Sequence, residues 1–345
     1  MLSMLKGTML AGTLAGGALT DRINSRTMVL AALLLSAVGL GALPFASSTA
    51  LILLFGMLAQ FSEALMNVVQ RLLLMDQVER GHQKEALGWM RMVNNFAQVF
   101  SFSVAALGAR LGLLPLFLFD AATSLTAFFI GRSILPRKEP APRDGGSLSG
   151  ENAGGSASRW AFFRCALVLM GWSFFYELFM EGGAGRLEVL HPGEGLHRFS
   201  TMMILNTVLC AAFAVQATRL FRRPWLTIAG GMLLTVLGIL LAGWGMASQV
   251  WVFGGMLLIT LGELMVGSTA QFTLMRLTPA GGKAGFYYSL GIGLMQGGRI
   301  LGAAVAFPLL IHASRLGPFT ALMIGVFAVQ LAVLWSLRGE IGRLA

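Results

Sequence analysis

The feature that most constrains this chain is a succession of apolar runs, each about 18 to 26 residues long. A helix rises 1.5 Å per residue, so a run of that length crosses the roughly 30 Å hydrocarbon core of a bilayer. Eleven runs are read from the sequence: Leu2–Leu19, Met28–Ala46, Ala50–Leu74, Ala86–Leu107, Leu113–Ile134, Trp160–Met180, Phe199–Leu220, Trp225–Met246, Val250–Met275, Ala284–Ile311 and Pro318–Leu337. They are too long for the strands of a membrane barrel, which need only about ten alternating residues. With 56% hydrophobic and 12% charged residues, the chain lacks the polar surface of a water-soluble globule. The expected fold is an all-α polytopic membrane protein embedded in a lipid bilayer.

The formal charge of +10 invites a nucleic-acid reading, and the distribution of the basic residues argues against it. If the turn "DRINSR" is cytoplasmic, that side collects Arg22, Arg26, Lys84, Arg132, Arg137, Lys138, Arg219, Arg222, Arg223, Arg276 and Arg338, among others. The opposite side holds Arg110, Arg186, Arg198 and Arg315. This asymmetry is the positive-inside pattern of a multi-pass chain, with the linker and carboxyl terminus cytoplasmic, and it needs no nucleic-acid partner. The bacterial inner membrane is the expected location. Cys165 and Cys210 lie in apolar segments, the four histidines lack metal-ligand spacing, and no phosphate-cradling loop or nucleophile motif is present. An enzyme, a metal site and a cofactor are therefore not expected.

The segment Leu135–Arg159 is rich in Pro, Gly, Ser and charge and reads as a cytoplasmic linker between five helices (1–134) and six (160–345). Superposing the halves at an offset near 200 residues sets "FGMLAQFSEALM" on "GGMLLITLGELM" and Glu63 on Glu263. An acid in the middle of an apolar helix costs roughly 2.5–3.5 kcal/mol even on the mildest insertion scale, so its recurrence in one register argues for a duplicated architecture. Carried backwards, the offset pairs Trp160–Met180 with residues before Met1, so the first helix of the repeat is expected to be missing from the amino-terminal half.

The turn beginning "GGALTDRINSR" resembles the G-x-L-a-D-R-x-G-R-K/R signature between the second and third helices of the major facilitator superfamily. Gly17, Leu19, Asp21, Arg22 and Arg26 match, whereas Asn24 replaces a glycine and Ser25 a basic residue. Asn tolerates a left-handed backbone, so the first exchange is expected to be mild. The resemblance implies a two-bundle fold and a gating turn formed by Gly17, Asp21, Arg22 and Arg26 that stabilises the outward-facing state. "TLGELMVG" is similar to the tenth helix of the drug and peptide branches of that family. Gly56 stands about where the family has a fourth-helix arginine, and "NNFAQVFSFS" replaces the antiporter motif of the fifth helix.

Intramembrane polar residues supply the candidate solute and proton sites: Glu63, Glu263, Arg91, Asn95, Gln98 and Arg299. Glu63 and Glu263 sit about a dozen residues into their runs and could carry protons. Arg91, Asn94, Asn95 and Gln98 recur at three- and four-residue spacing and share much of one helix face. Arg299 could attract an anionic solute or balance a glutamate. Gly12 and Gly16, and Gly298 and Gly302, have small-x-x-x-small spacing, expected where the two halves move against each other. The expected function is secondary transport of a small solute, with proton-coupled efflux of an amphipathic compound by a monomer as the leading reading. Proton-driven uptake of peptides or organic ions is the nearer alternative, and a non-transporting interaction or sensor protein the more distant one.

Overall fold

The computed structural model describes residues 2–79, 81–111, 113–135, 155–221, 223–245, 248–279, 283–310 and 316–342. The protein is 91% helical with no strands among the described residues. Each apolar run forms a helix: α1 Leu2–Thr20, α2 Ser25–Ala42, α3 Thr49–Gln77, α4 Gln83–Leu111, α5 Leu113–Ile134, α6 Gly155–Leu190, α7 Gly195–Leu220, α8 Pro224–Trp244, α9 Gln249–Arg276, α10 Ala284–Leu310 and α11 Leu316–Ser336. A short α12, Arg338–Gly342, follows, and Leu43–Phe45 forms a 3-10 turn after α2. Seven helical spans of the described residues are long and apolar enough to cross a bilayer by length and composition.

Local chemistry explains several boundaries. Asn24 caps α2 by accepting a 2.9 Å hydrogen bond from the Arg26 N–H, and its φ of −55° is not left-handed. Asn24 is thus an N-cap, a role Asn fills well, and at this position no left-handed backbone is called on. Ser48 caps α3 in the same way through the Leu51 N–H, and Pro224 opens α8, where its missing N–H costs nothing. Helix α6 runs ten residues past the expected end at Met180, to Leu190. Only 155–159 of the expected linker is described, as the start of α6, together with Leu135; residues 136–154 lie outside the described residues.

The chain forms two compact units. The first comprises 1–80, 100–155 and 278–293, the second 81–99, 156–277 and 294–345. Helices α4 and α10 each contribute to both. In the first unit α3 packs on α1 and α2, and α2 on α5, around Met28, Val29, Ala32, Leu65 and Val69. In the second, α9 packs on α8 and α7, with Cys210, Ala214, Ala217 and Leu264 in one core cluster. The α8–α9 contact is close because glycines face each other: a Cβ on Gly238 would collide with the Gly255 carbonyl, and one on Gly255 with the Gly238 carbonyl. Gly12 and Gly16 pack against α3, and Gly298 and Gly302 against α6. Each glycine pair therefore seats a helix on a neighbour from its own half of the chain, a correction to the expectation that these pairs lie where the halves meet. Helix α5 exposes Leu118, Phe119, Leu125, Phe129 and Ile130, an apolar surface suited to lipid rather than water.

Candidate functional site

The second unit holds a polar cluster built on Glu263. This carboxylate sits in the middle of α9, and the side chain is 16% exposed. Its Oε1 accepts from Arg91 Nη2 at 2.6 Å. Its Oε2 accepts from the Tyr176 hydroxyl at 2.9 Å and from Asn206 Nδ2 at 3.1 Å. Asn206 also donates to Thr260 Oγ1 at 2.9 Å, and Thr260 donates to the Met256 carbonyl. Four helices, α4, α6, α7 and α9, thus converge on one acid, and each contributes a donor or the acid itself. Desolvating a carboxylate to this degree is tolerable only when such partners replace water.

Arg91 lies against Gly267, one turn beyond Glu263 on α9. A Cβ at Gly267 would fall inside the guanidinium, so the missing side chain creates the seat for Arg91. The Cys210 sulfur also lies against this guanidinium, and Arg91 Nε is buried with no hydrogen-bond partner. Asn95, one turn on, donates to the Arg91 carbonyl at 2.9 Å and braces α4 rather than touching the acid. Gln98 is exposed on the same helix. Arg299 is exposed on α10 beside Gly298, and its charge acts on the Tyr176 hydroxyl. Of the candidates read from sequence, Glu263, Arg91 and Arg299 share this neighbourhood.

Glu63 is placed differently. It lies exposed on α3 in the first unit, with Asn67 and Gln70 on following turns, and Gln70 donates to Asn67 Oδ1 at 3.4 Å. No partner of Glu63 is found among the described residues, so the two glutamates equated by the repeat occupy unequal surroundings.

The turn read from sequence as a gate makes its contacts at helix ends. Asp21 Oδ1 accepts from the Gly285 N–H at 2.8 Å and Oδ2 from the Phe286 N–H at 2.9 Å. A carboxylate at the first turn of α10 satisfies donors that have no partner inside the helix and meets the positive end of its dipole. Gly17 permits this approach, because a Cβ there would collide with Ser289 and the Gly285 carbonyl. Arg26 donates to the Arg132 carbonyl at the end of α5, at 2.6 Å, while Arg22 is exposed. Sequence reading missed Tyr176, Asn206, Gly267 and Ser289. Asn206 carried a signal as an amide inside an apolar run, but a tyrosine and a glycine in such a run are ordinary.

A polytopic bundle of membrane-length helices that buries charge on its interior marks that charge as a functional site, since an ionised group in hydrocarbon is costly. Residues 1–303 match the profile of the Major Facilitator Superfamily, and the chain belongs to that family. Among solved structures, the human organic anion transporter MFSD10 (TETRAN) is similar with a TM-score of 0.71 and 19% identity, over 96% of this chain and 83% of that one. The transporter FucP in the outward conformation is similar with a TM-score of 0.70 and 13% identity, over 98% and 89% of the two chains. The E. coli fucose:proton symporter FucP gives the same score and identity, over 98% and 90%. At these identities the likeness shows the fold. No curated protein matches the chain in sequence.

Proposed function

We propose that this integral, multi-pass membrane protein is a secondary transporter that moves a small amphipathic solute by alternating access, coupled to protons and in the direction of efflux. In this reading residues 1–134 and 160–345 are the two bundles, the linker and carboxyl terminus face the cytoplasm of a bacterial inner membrane, and the monomer is the working unit. The observation that carries it is the Arg91–Glu263 pair: a helix from the first half of the chain holds an acid from the second, inside the membrane. A proton or a charged solute reaching Glu263 removes the attraction that ties α4 to α9. Glu63, exposed and unpartnered among the described residues, is the second proton-carrying candidate. Asp21 on the α10 terminus stabilises one of the two states. Proton coupling is supported by the likeness to a fucose:proton symporter, and the same likeness supports the second reading, proton-driven uptake of an organic ion or peptide.

The test uses proteoliposomes loaded with a pH-sensitive dye and challenged with amphipathic amines, carboxylates and dipeptides. At least one class is expected to drive proton movement through the native protein and none through Glu263→Gln. Undiminished movement through Glu263→Gln would remove this acid as the coupling site. A native protein silent with every class would favour the non-transporting reading.

A further inference from the structure

We infer that the cluster around Glu263 is a binding site for a small organic monoanion, with Arg299 as its first contact and Glu263 as a resident counter-ion that the anion displaces from Arg91. The inference rests on the transport reading and assigns the charge of the solute.

Three observations carry it, all within the second unit. The donors converge on a single carboxylate: Arg91 at 2.6 Å, Tyr176 at 2.9 Å and Asn206 at 3.1 Å surround the two oxygens of Glu263, and Asn206 is shared with Thr260. A set of donors that fits one carboxylate fits another of the same shape, and charge-assisted bonds to a guanidinium are the strong members of such a set. Arg91 still has capacity, since its Nε is buried and unpartnered.

The second observation is charge. Arg91 and Arg299 bring two positive charges and Glu263 one negative, so the cluster carries a net +1 before any ligand arrives. No carboxylate among the described residues pairs with Arg299, and the neighbouring acids of α6, Glu177 and Glu181, have partners of their own. One monoanion neutralises the site. A cation would meet two guanidinium groups and only one acid, already engaged.

The third is placement. Gly298 and Gly302 seat α10 on α6 at the Met170 and Phe174 carbonyls, which fixes Arg299 beside the stretch that carries Tyr176. Arg299 is exposed, whereas Arg91 and Glu263 are 17% and 16% exposed. An arriving anion therefore meets the free guanidinium before the paired one.

The experiment measures binding to the purified full-length protein in detergent, without a gradient, by the shift of the thermal midpoint. The probes are benzoate and octanoate, their amides, and benzylamine. The carboxylates are expected to stabilise the native protein, and the amides and the amine to leave it unchanged. Arg299→Gln should weaken benzoate binding about ten-fold or more, the usual weight of a charge-assisted contact. Tyr176→Phe, a milder change that keeps the ring, should weaken it a few-fold. Glu263→Gln should tighten it, because the competitor for Arg91 is gone. Equal shifts from carboxylate and amide, stabilisation by benzylamine, or weaker benzoate binding in Glu263→Gln would each overturn the inference. Because no proton gradient is involved, failure here leaves the proton-coupling result standing, and the converse also holds.

Discussion

At the scale of single residues, the pair most exposed to disruption is Arg91–Glu263, and its weak point is a glycine. Truncating one partner of a buried ion pair costs about 3–5 kcal/mol because the survivor is left uncompensated. Gly267→Ala leaves both charges in place but puts a methyl group where the guanidinium lies. It is expected to push the guanidinium away from Glu263, lowering the thermal midpoint and stopping proton-coupled flux in proteoliposomes. Gly325→Ala, where a Cβ meets nothing within 4 Å, should be neutral or slightly stabilising in the same assays. The acid and the arginine of this pair were legible in the sequence, since an ionised group inside an apolar run always needs a reason. Their pairing was not, because α4 and α9 are 172 positions apart at this contact and hydropathy holds no information on which helices meet.

Among the helices, α4 shows how a single face is tied down. Lys84 donates to the Phe221 carbonyl, Glu85 accepts from Arg219 Nη2 at 2.5 Å, Gly88 makes room for Thr218, and Arg91 reaches Glu263. These residues recur at three- and four-residue spacing, as a contact face of a helix requires. The Arg219 hydrogen bond holds the Glu85 carboxyl below its usual range. A carboxyl depressed in the folded state contributes stability above its unfolded value, about pH 4.3, and loses it as pH falls through the lower folded value. The native protein should therefore exceed Glu85→Gln in thermal midpoint by a constant amount above about pH 5, and the gap should close on acidification below about pH 4. A gap that persists unchanged at pH 3 would contradict the assignment. Asp21 ties down α10 in a comparable way, and the sequence motif singled it out without revealing that its partner is a helix end.

For the whole molecule, the helix bounds repeat at the offset read from the two glutamates. Helix α3 spans 49–77 and α9 249–276, α4 spans 83–111 and α10 284–310, and α2, α5 and α1 follow α8, α11 and α7 in the same way. The two helices that contribute to both compact units, α4 and α10, are themselves repeat partners. Alternating access requires some helices to exchange neighbours, and these two are the ones whose contacts are divided. Disulfides between cysteines placed at Gly88 and Thr218, or at Leu14 and Gly293, in a chain with Cys165 and Cys210 changed to alanine, should each arrest flux on oxidation. Reduction should restore it. A Cβ at Gly88 would lie 2.9 Å from Thr218 Cγ2 and one at Gly293 3.2 Å from Leu14 Cδ2, so the two positions of each pair are in side-chain contact. Flux that continues through an oxidised bridge would show that the pair does not separate during transport.

By itself, the amino-acid sequence determined that the chain is built of long apolar helices, their approximate bounds and the identity of the costly charges. These follow from local quantities: the length of an apolar run, the spacing of residues along a helix and the solvation cost of an ionised side chain in hydrocarbon. Tertiary structure alone decided that Glu263 is held by donors from three other helices while Glu63 stands apart, that Gly267 seats Arg91, and that Asp21 serves α10 rather than its neighbouring arginines. Those outcomes depend on which helix faces pack together, and in lipid that choice is made by close contact and hydrogen bonding between surfaces, which one-dimensional hydropathy does not encode.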